Sequence, residues 1–421
     1  MGCGEIMRNR DASSIYILLR GALSLFYALF LPVELVYLIK GAGFDPLQLV
    51  LVGTLRQSMN FVFQMPTGIL SDMYSRRATV VIGILMIGAG YLLEGLFPIL
   101  AVIFSAQVFV ALGTTLMNGA DTAWITDEIG AEHVGPIYLR AARIGSLVSL
   151  PGIALSALLV NVRLNLPLVV SGGLIIALGI VLAFVMPERR FKPVPRQERT
   201  TVQQARHTLL TGLGLLRLRP VLLTVLGVTV FAGVFSAGFN QLWNYYLIHS
   251  FAFPALGGLT PVTWFSVIEV GIVLTNYCGL ALVNRFLDTN SPRAVVIGLL
   301  IIDSFSVVSI VGFALAQQFA LALLLFFLFT TASAPGLSLG QLWMNQHLDS
   351  GVRATLLSIR EQVNALAQIG GGPLLGLIAT QINTRAALVT SGLILIPSLF
   401  LYLRTLRDKH PRPDTIDIYQ C

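Results

Sequence analysis

The chain has 421 residues, 55% of them hydrophobic and 11% charged, with a formal net charge of +7 and a mean hydropathy of +0.81. A soluble domain carries about 25% charged residues, and a soluble core stops growing near about 250–300 residues, so this composition excludes a large soluble fold and leaves lipid as solvent. The three cysteines, Cys3, Cys278 and Cys421, form neither a disulfide framework nor a metal-ligand spacing, and the positive charge sits in short stretches between apolar runs, which argues for a membrane partner and against nucleic acid.

A helix needs about 20 mostly apolar residues to cross about 30 Å of hydrocarbon. Runs of that kind are expected at 14–39, 48–70, 78–97, 99–125, 138–161, 166–186, 220–248, 262–283, 293–314, 319–346, 354–381 and 386–406, twelve spans in an all-α membrane protein. The first run has no small-residue cleavage site and reads as a span, not a signal peptide. At the start, Ile6 stands where N-myristoylation wants Ser or Thr. The longest hydrophilic stretch, Pro187 to Pro220, separates two six-helix bundles. The expected division is 1–186, a cytoplasmic linker at 187–219, and 220–421 ending in a short tail. Within the linker, Thr201 to Leu218 reads equally as a basic amphipathic surface helix or as a solvated tether.

If the N-terminus is cytoplasmic, 22 of the 27 basic residues fall in cytoplasmic loops, tails and helix ends. The outside receives only Lys40, Arg163 and Arg385, while Arg20 and Arg56 lie within spans. The positive-inside rule then places both termini in the cytoplasm, with the bacterial inner membrane as the expected location. The halves echo each other. A shift of 222 residues sets Pro151 on Pro373 and Asn161-Val-Arg163 on Asn383-Thr-Arg385, and a shift of 219 sets Trp124 on Trp343. Parallel repeats of six helices are a feature of secondary transporters.

Between spans two and three the chain reads Gly68-Ile-Leu-Ser-Asp72-Met-Tyr-Ser-Arg76-Arg77. This resembles the loop signature of the major facilitator superfamily, with Met73 in place of a usual Arg and Ser75 in place of a usual Gly. The resemblance extends over essentially the whole chain. Asn118-Gly-Ala-Asp121-Thr-Ala-Trp124-Ile-Thr-Asp127-Glu128, and Arg353 to Ser358 running on to Gln368-Ile-Gly-Gly-Gly-Pro373-Leu-Leu-Gly376, are similar to the drug-exporter-like branch. Gln107 stands about where many proton-coupled drug antiporters carry an Arg, and their span-five signature is reduced to Gly145, Pro151 and Gly152. The resemblance implies the two-bundle fold. It also implies a motif loop of Gly68, Asp72, Arg76, Arg77 and Asp127 that latches the halves in the outward-open state by touching spans four and eleven.

An ionisable side chain in a helix centre costs about 2.5–3.5 kcal/mol and needs a partner or a function. Arg20 and Asp121 each lie about 9 Å in from the cytoplasmic ends of spans one and four. The resemblance places those helices around one cavity, so a pair is expected, either as a substrate or proton site or as a structural ion pair. Glu34 and Arg56 are expected to pair toward the outer side. Glu94 and Glu269, near span ends, are expected to reach the outer surface. Asp303 falls near mid-bilayer without an evident partner. Spans one, four, seven and ten are the implied cavity walls. Their candidates are Tyr27, Asn118, Trp124, Asn240, Gln241, Trp243, Tyr245, Gln341 and Trp343, with Asn244, Tyr246, Met344 and Asn345 beside them. Aromatic rings over amides suit a bulky amphipathic solute, and about half of these residues are assigned instead to the interfacial belt.

Gly336-Leu-Ser338-Leu-Gly340 matches a nucleophile-elbow pattern, but that elbow needs a strand-to-helix turn, and here the run lies in an apolar helix. No Walker loop, dinucleotide fingerprint or metalloprotease motif occurs. The expectation is a monomeric, non-enzymatic transporter without cofactor or metal. It moves a small amphipathic solute outward in exchange for protons. An importer of a nutrient or metabolite, and a membrane sensor that does not transport, are the rival readings.

Overall fold

The computed structural model describes residues 3–191, 220–254, 260–346 and 350–407. The possible linker helix at Thr201 to Leu218 and the tail beyond Arg407 lie outside them. Among the described residues there are fourteen helices and no strand: α1 (Cys3–Lys40), α2 (Pro46–Met73), α3 (Arg76–Leu96), α4 (Leu100–Met117), α5 (Ala120–Ile129), α6 (Val134–Val162), α7 (Leu166–Val185), α8 (Pro220–Ser250), α9 (Thr263–Phe286), α10 (Pro292–Leu315), α11 (Phe319–Gln346), α12 (Ser350–Gln381), α13 (Thr384–Leu393) and α14 (Ile396–Arg407).

They make twelve crossings, because two spans are broken. Span four bends at Asn118-Gly119, where Gly119 adopts φ +85°, a conformation that L side chains rarely take. Span twelve breaks between Leu393 and Ile396, just before Pro397, which cannot donate to the helix ladder. Eleven crossings are long and apolar enough to be recognised on those grounds alone; α2 is not among them. Its polar residues, Gln48, Arg56, Gln57, Ser58, Asn60 and Gln64, sit on a helix that packs chiefly against α12 and α4, and so faces protein as well as lipid.

Within each half, neighbouring helices meet through small residues, as expected where lipid offers no hydrophobic drive for association. A Cβ on Gly113 would lie 2.5 Å from the carbonyl oxygen of Gly83, so α3 and α4 touch backbone to backbone. A Cβ on Gly279 would lie 1.9 Å from the Thr331 carbonyl oxygen, which makes glycine obligatory where α9 crosses α11.

The buried hydrophobic residues fall into three clusters that show where the halves meet. One is built from α1–α7 and the segments between and after them. A second, at the end of the bundle remote from Arg76, Arg77 and Arg407 (the far end), joins C-terminal residues to Val36 and Val50. The third, at the opposite or basic end, contains C-terminal residues alone. Contacts between halves follow the same rule. Gly376 stands against Leu47 and Val50, Gly372 against Thr54, and Asn161 Oδ1 accepts from the Thr263 and Thr260 hydroxyls at 3.2 and 3.3 Å. All of these residues lie at the far end, in the far-end parts of their helices or, for Thr260, just before α9.

Candidate functional site

The basic end of the N-terminal half is a clamp. Ser75, in place of the family's Gly, caps α3 by accepting from Ala78 N at 2.9 Å, and its hydroxyl donates to Glu188 at 2.5 Å. Arg76 donates to the Ala123 carbonyl at 2.8 Å and forms an ion pair with Asp127, while Arg77 reaches the Ala183 carbonyl. Glu128 accepts from the backbone of Arg189 at 2.7 Å. The loop is thus fastened to span four and to the end of span six. The Asp72 side chain, central to the implied latch, lies outside the described residues, and a Cβ on Gly68 would meet nothing within 4 Å.

Deeper in this half, Arg20 Nη2 meets Asp121 Oδ2 at 2.6 Å. The break at Gly119 makes this pairing favourable. It places Asp121 in the first turn of α5, where the helix dipole favours an anion, and Asp121 Oδ1 accepts from Thr122 N at 2.8 Å. Arg20 also donates to the Tyr16 hydroxyl at 3.3 Å. Each single alanine substitution, Arg20→Ala or Asp121→Ala, is expected to destabilise the protein. The loss is about 1–3 kcal/mol, below the fully buried figure because the Arg20 side chain is 38% exposed. The double variant should be no worse than either single one in a thermal-unfolding cycle; simple additivity would show that the two groups do not interact.

Toward the far end a four-residue chain crosses the half. Arg56 Nη2 donates to Glu34 Oε1 at 2.5 Å and its Nε to Gln107 Oε1 at 2.6 Å; Gln107 Nε2 then donates to Glu94 Oε2 at 2.8 Å. Gln107 and Glu94 are both 0% exposed, and Glu94 Oε1 has no partner. The expectation that Glu94 reaches the outer surface is therefore corrected. The α3–α4 connection is only three residues long, and the Tyr37 hydroxyl donates to the Glu94 carbonyl at 2.9 Å, which tucks the corner inward.

The main cavity, of about 720 Å³, lies between the halves. Glu34 and Arg56 face it from one side. From the other come Asn240, Gln241, Trp243, Asn244, Glu269, Asp303 and Gln341. It reaches Gln341 and Glu361 in the basic-end parts of α11 and α12, where both are exposed. Glu269 lines this cavity, another departure from the surface position expected of it. Asp303 lines it too and has a partner after all, the hydroxyl of Tyr402 on α14, at 2.9 Å.

The sequence-based cavity candidates divide. Asn240, Gln241, Trp243 and Gln341 line the cavity; Tyr27, Asn118, Trp124, Tyr245 and Trp343 do not. Tyr27 packs edge-on to Phe30 and Tyr91, Tyr245 stacks on His249, and Asn118 is exposed at the break in span four. The two repeat-related tryptophans share one structural task. Each is 1% exposed and locks its half's fourth span to that half's sixth, Trp124 by donating to the Pro187 carbonyl at 2.6 Å and Trp343 by ring contact with Tyr402. Ser338 of the elbow-like run donates to the Ala334 carbonyl within α11, as an ordinary helical serine does.

Two six-helix halves that meet at one end and enclose a cavity between them have the architecture of a membrane solute transporter. The sequence model of the Major Facilitator Superfamily matches residues 16–310, and the chain belongs to that family. Among solved structures it is similar to the nucleoside transporter NupG, with a TM-score of 0.73 at 13% identity over 94% of this chain and 100% of that one. It is also similar to a POT family transporter in complex with 5-aminolevulinic acid (TM-score 0.69, 14% identity, 94% and 96% coverage). A third is a bacterial homolog of the human lysosomal transporter Spinster (TM-score 0.68, 13% identity, 97% and 98% coverage). At these identities the likeness is one of fold and does not extend to cargo. Comparison with curated protein sequences gave no match.

Proposed function

We propose that the protein exports small amphipathic solutes in exchange for protons by alternating access. The observation that carries this reading is the cavity, packed shut by both halves at the far end and reaching exposed residues at the basic end. On the positive-inside rule the basic end is cytoplasmic, so this form receives its solute from the cytoplasm, with both termini inside. The coupling site is the Glu34–Arg56–Gln107–Glu94 chain. It holds two carboxylates to one guanidinium, so one proton separates a neutral group from a charged one inside the bilayer. Glu34 and Arg56 face the cavity, and Gln107 and Glu94 stand behind them, which joins solute and proton in one wall.

The test is flux in proteoliposomes with a panel of cationic, neutral and anionic amphipathic dyes. In acid-interior vesicles containing inside-out protein, at least one dye should accumulate against its gradient, and collapsing the pH difference should abolish the accumulation. Flux that ignores the pH difference would remove the proton coupling. Saturable binding without flux would favour the sensor.

A further inference from the structure

The cavity has two unlike walls. On the N-terminal side the facing charges are matched, because Glu34 holds Arg56 at 2.5 Å. On the C-terminal side Glu269 has no hydrogen bond or ion pair among the described residues, and two amide oxygens share that lack: Asn244 Oδ1, on a residue 4% exposed, and Gln241 Oε1. Asn244 lies six residues before the end of α8 and Glu269 six after the start of α9, so both sit about 9 Å in from the far end. Trp243, next to Asn244, stacks on Phe326 with ring centroids 4.6 Å apart and lies 5.9 Å from Phe265, one helical turn before Glu269. This wall therefore combines a carboxylate and two acceptor oxygens, all unpaired, with an aromatic face.

We propose that this wall binds the ammonium group of a primary or secondary amine that carries an aromatic or other apolar body. The proposal rests on the reading of the cavity as the solute site and names the class of solute. A buried acceptor left without a donor costs about 1–3 kcal/mol, and an ammonium supplies two or three N–H donors together with the charge that Glu269 lacks. An indole face attracts a cation as well. A carboxylate solute would set like charge against Glu269, and a neutral one would leave Glu269 unpaired. The other cations in the lining do not serve Glu269. Arg56 is held by Glu34, and Arg360 lies about 15 Å in from the basic end of α12, about 10 Å nearer that end than Glu269 is. A space of about 720 Å³ also fits a drug-sized body, for which pockets of about 300–1,000 Å³ are usual.

The test is equilibrium binding to the purified full chain near neutral pH with three fluorescent probes of one skeleton: 2-(1-naphthyl)ethylamine, 2-(1-naphthyl)ethanol and 3-(1-naphthyl)propanoate. The amine should bind at least about tenfold tighter than the alcohol, and the propanoate weakest of the three. Glu269→Gln should remove the advantage of the amine over the alcohol, with thermal unfolding measured to confirm the fold. Asn244→Ala should weaken amine binding several-fold and carries the test if Glu269→Gln fails to fold. Equal affinity for amine and alcohol, amine binding indifferent to both substitutions, or no binding of any probe to the folded chain overturns the proposal. The transport reading fails separately. Proton-driven flux of a neutral or anionic dye without amine binding keeps the transporter and removes this site, whereas amine binding without flux keeps the site and removes the transporter.

Discussion

Glu94→Gln is expected to cut pH-driven accumulation of solute at least about tenfold, equivalent to about 1.4 kcal/mol, while energy-independent solute exchange stays within about twofold of the unmodified protein. The reason is charge arithmetic in a closed space. Glu34 and Glu94 share one guanidinium, and both Glu94 and its bridge Gln107 are 0% exposed. With every group ionised the chain carries one uncompensated negative charge, and charges at such depth cost about 2.5–3.5 kcal/mol. A proton removes that charge. Glutamine keeps the shape and a hydrogen bond to Gln107 but can neither take up nor release the proton, so the variant should be locked in the neutral form. Exchange needs no net proton movement and should survive. Flux measured with and without a pH gradient separates the two. Uphill transport that persists in Glu94→Gln would move the coupling site to Arg20–Asp121 or Asp303.

The search for long, mostly apolar runs made all twelve crossings legible in the sequence, α2 among them, although its polar face leaves it less apolar than the other eleven. The breaks in spans four and twelve were written as Asn118-Gly119 and Pro397 but were masked by the apolar residues around them. Depth counting along helices located the Arg20–Asp121 and Glu34–Arg56 pairs, because spans one, two and four run nearly the full bilayer and their residue numbers convert to depth. The same counting failed for Glu94 and Glu269. Glu94 sits at a tight corner turned inward by Tyr37, and Glu269 lies far enough into α9 to face the cavity. Gln107 was noted only as standing about where many proton-coupled antiporters carry an Arg, and its bridging of Arg56 and Glu94 was missed; a lone amide in an apolar run was the signal that could have pointed to a buried polar partner. The tryptophans misled for a different reason. Their repeat relation was sound, but it recorded a shared packing contact and not a shared cavity position.

If solute passes by alternation of the two halves about this cavity, a reversible lock at the far end stops it. Gly376 and Leu47 face each other across the closed end; a Cβ at Gly376 would stand 3.3 Å from Leu47 Cα, within reach of a disulfide, whose Cβ atoms lie about 3.5–4.5 Å apart. In a background with Cys3, Cys278 and Cys421 replaced, the Leu47→Cys/Gly376→Cys pair should cross-link on mild oxidation without disturbing the fold. The measurement is solute flux before oxidation, after it, and after reduction. Alternating access requires transport to fall to background in the oxidised protein, in proportion to the fraction cross-linked, and to return on reduction. Undiminished flux through fully cross-linked protein would contradict it.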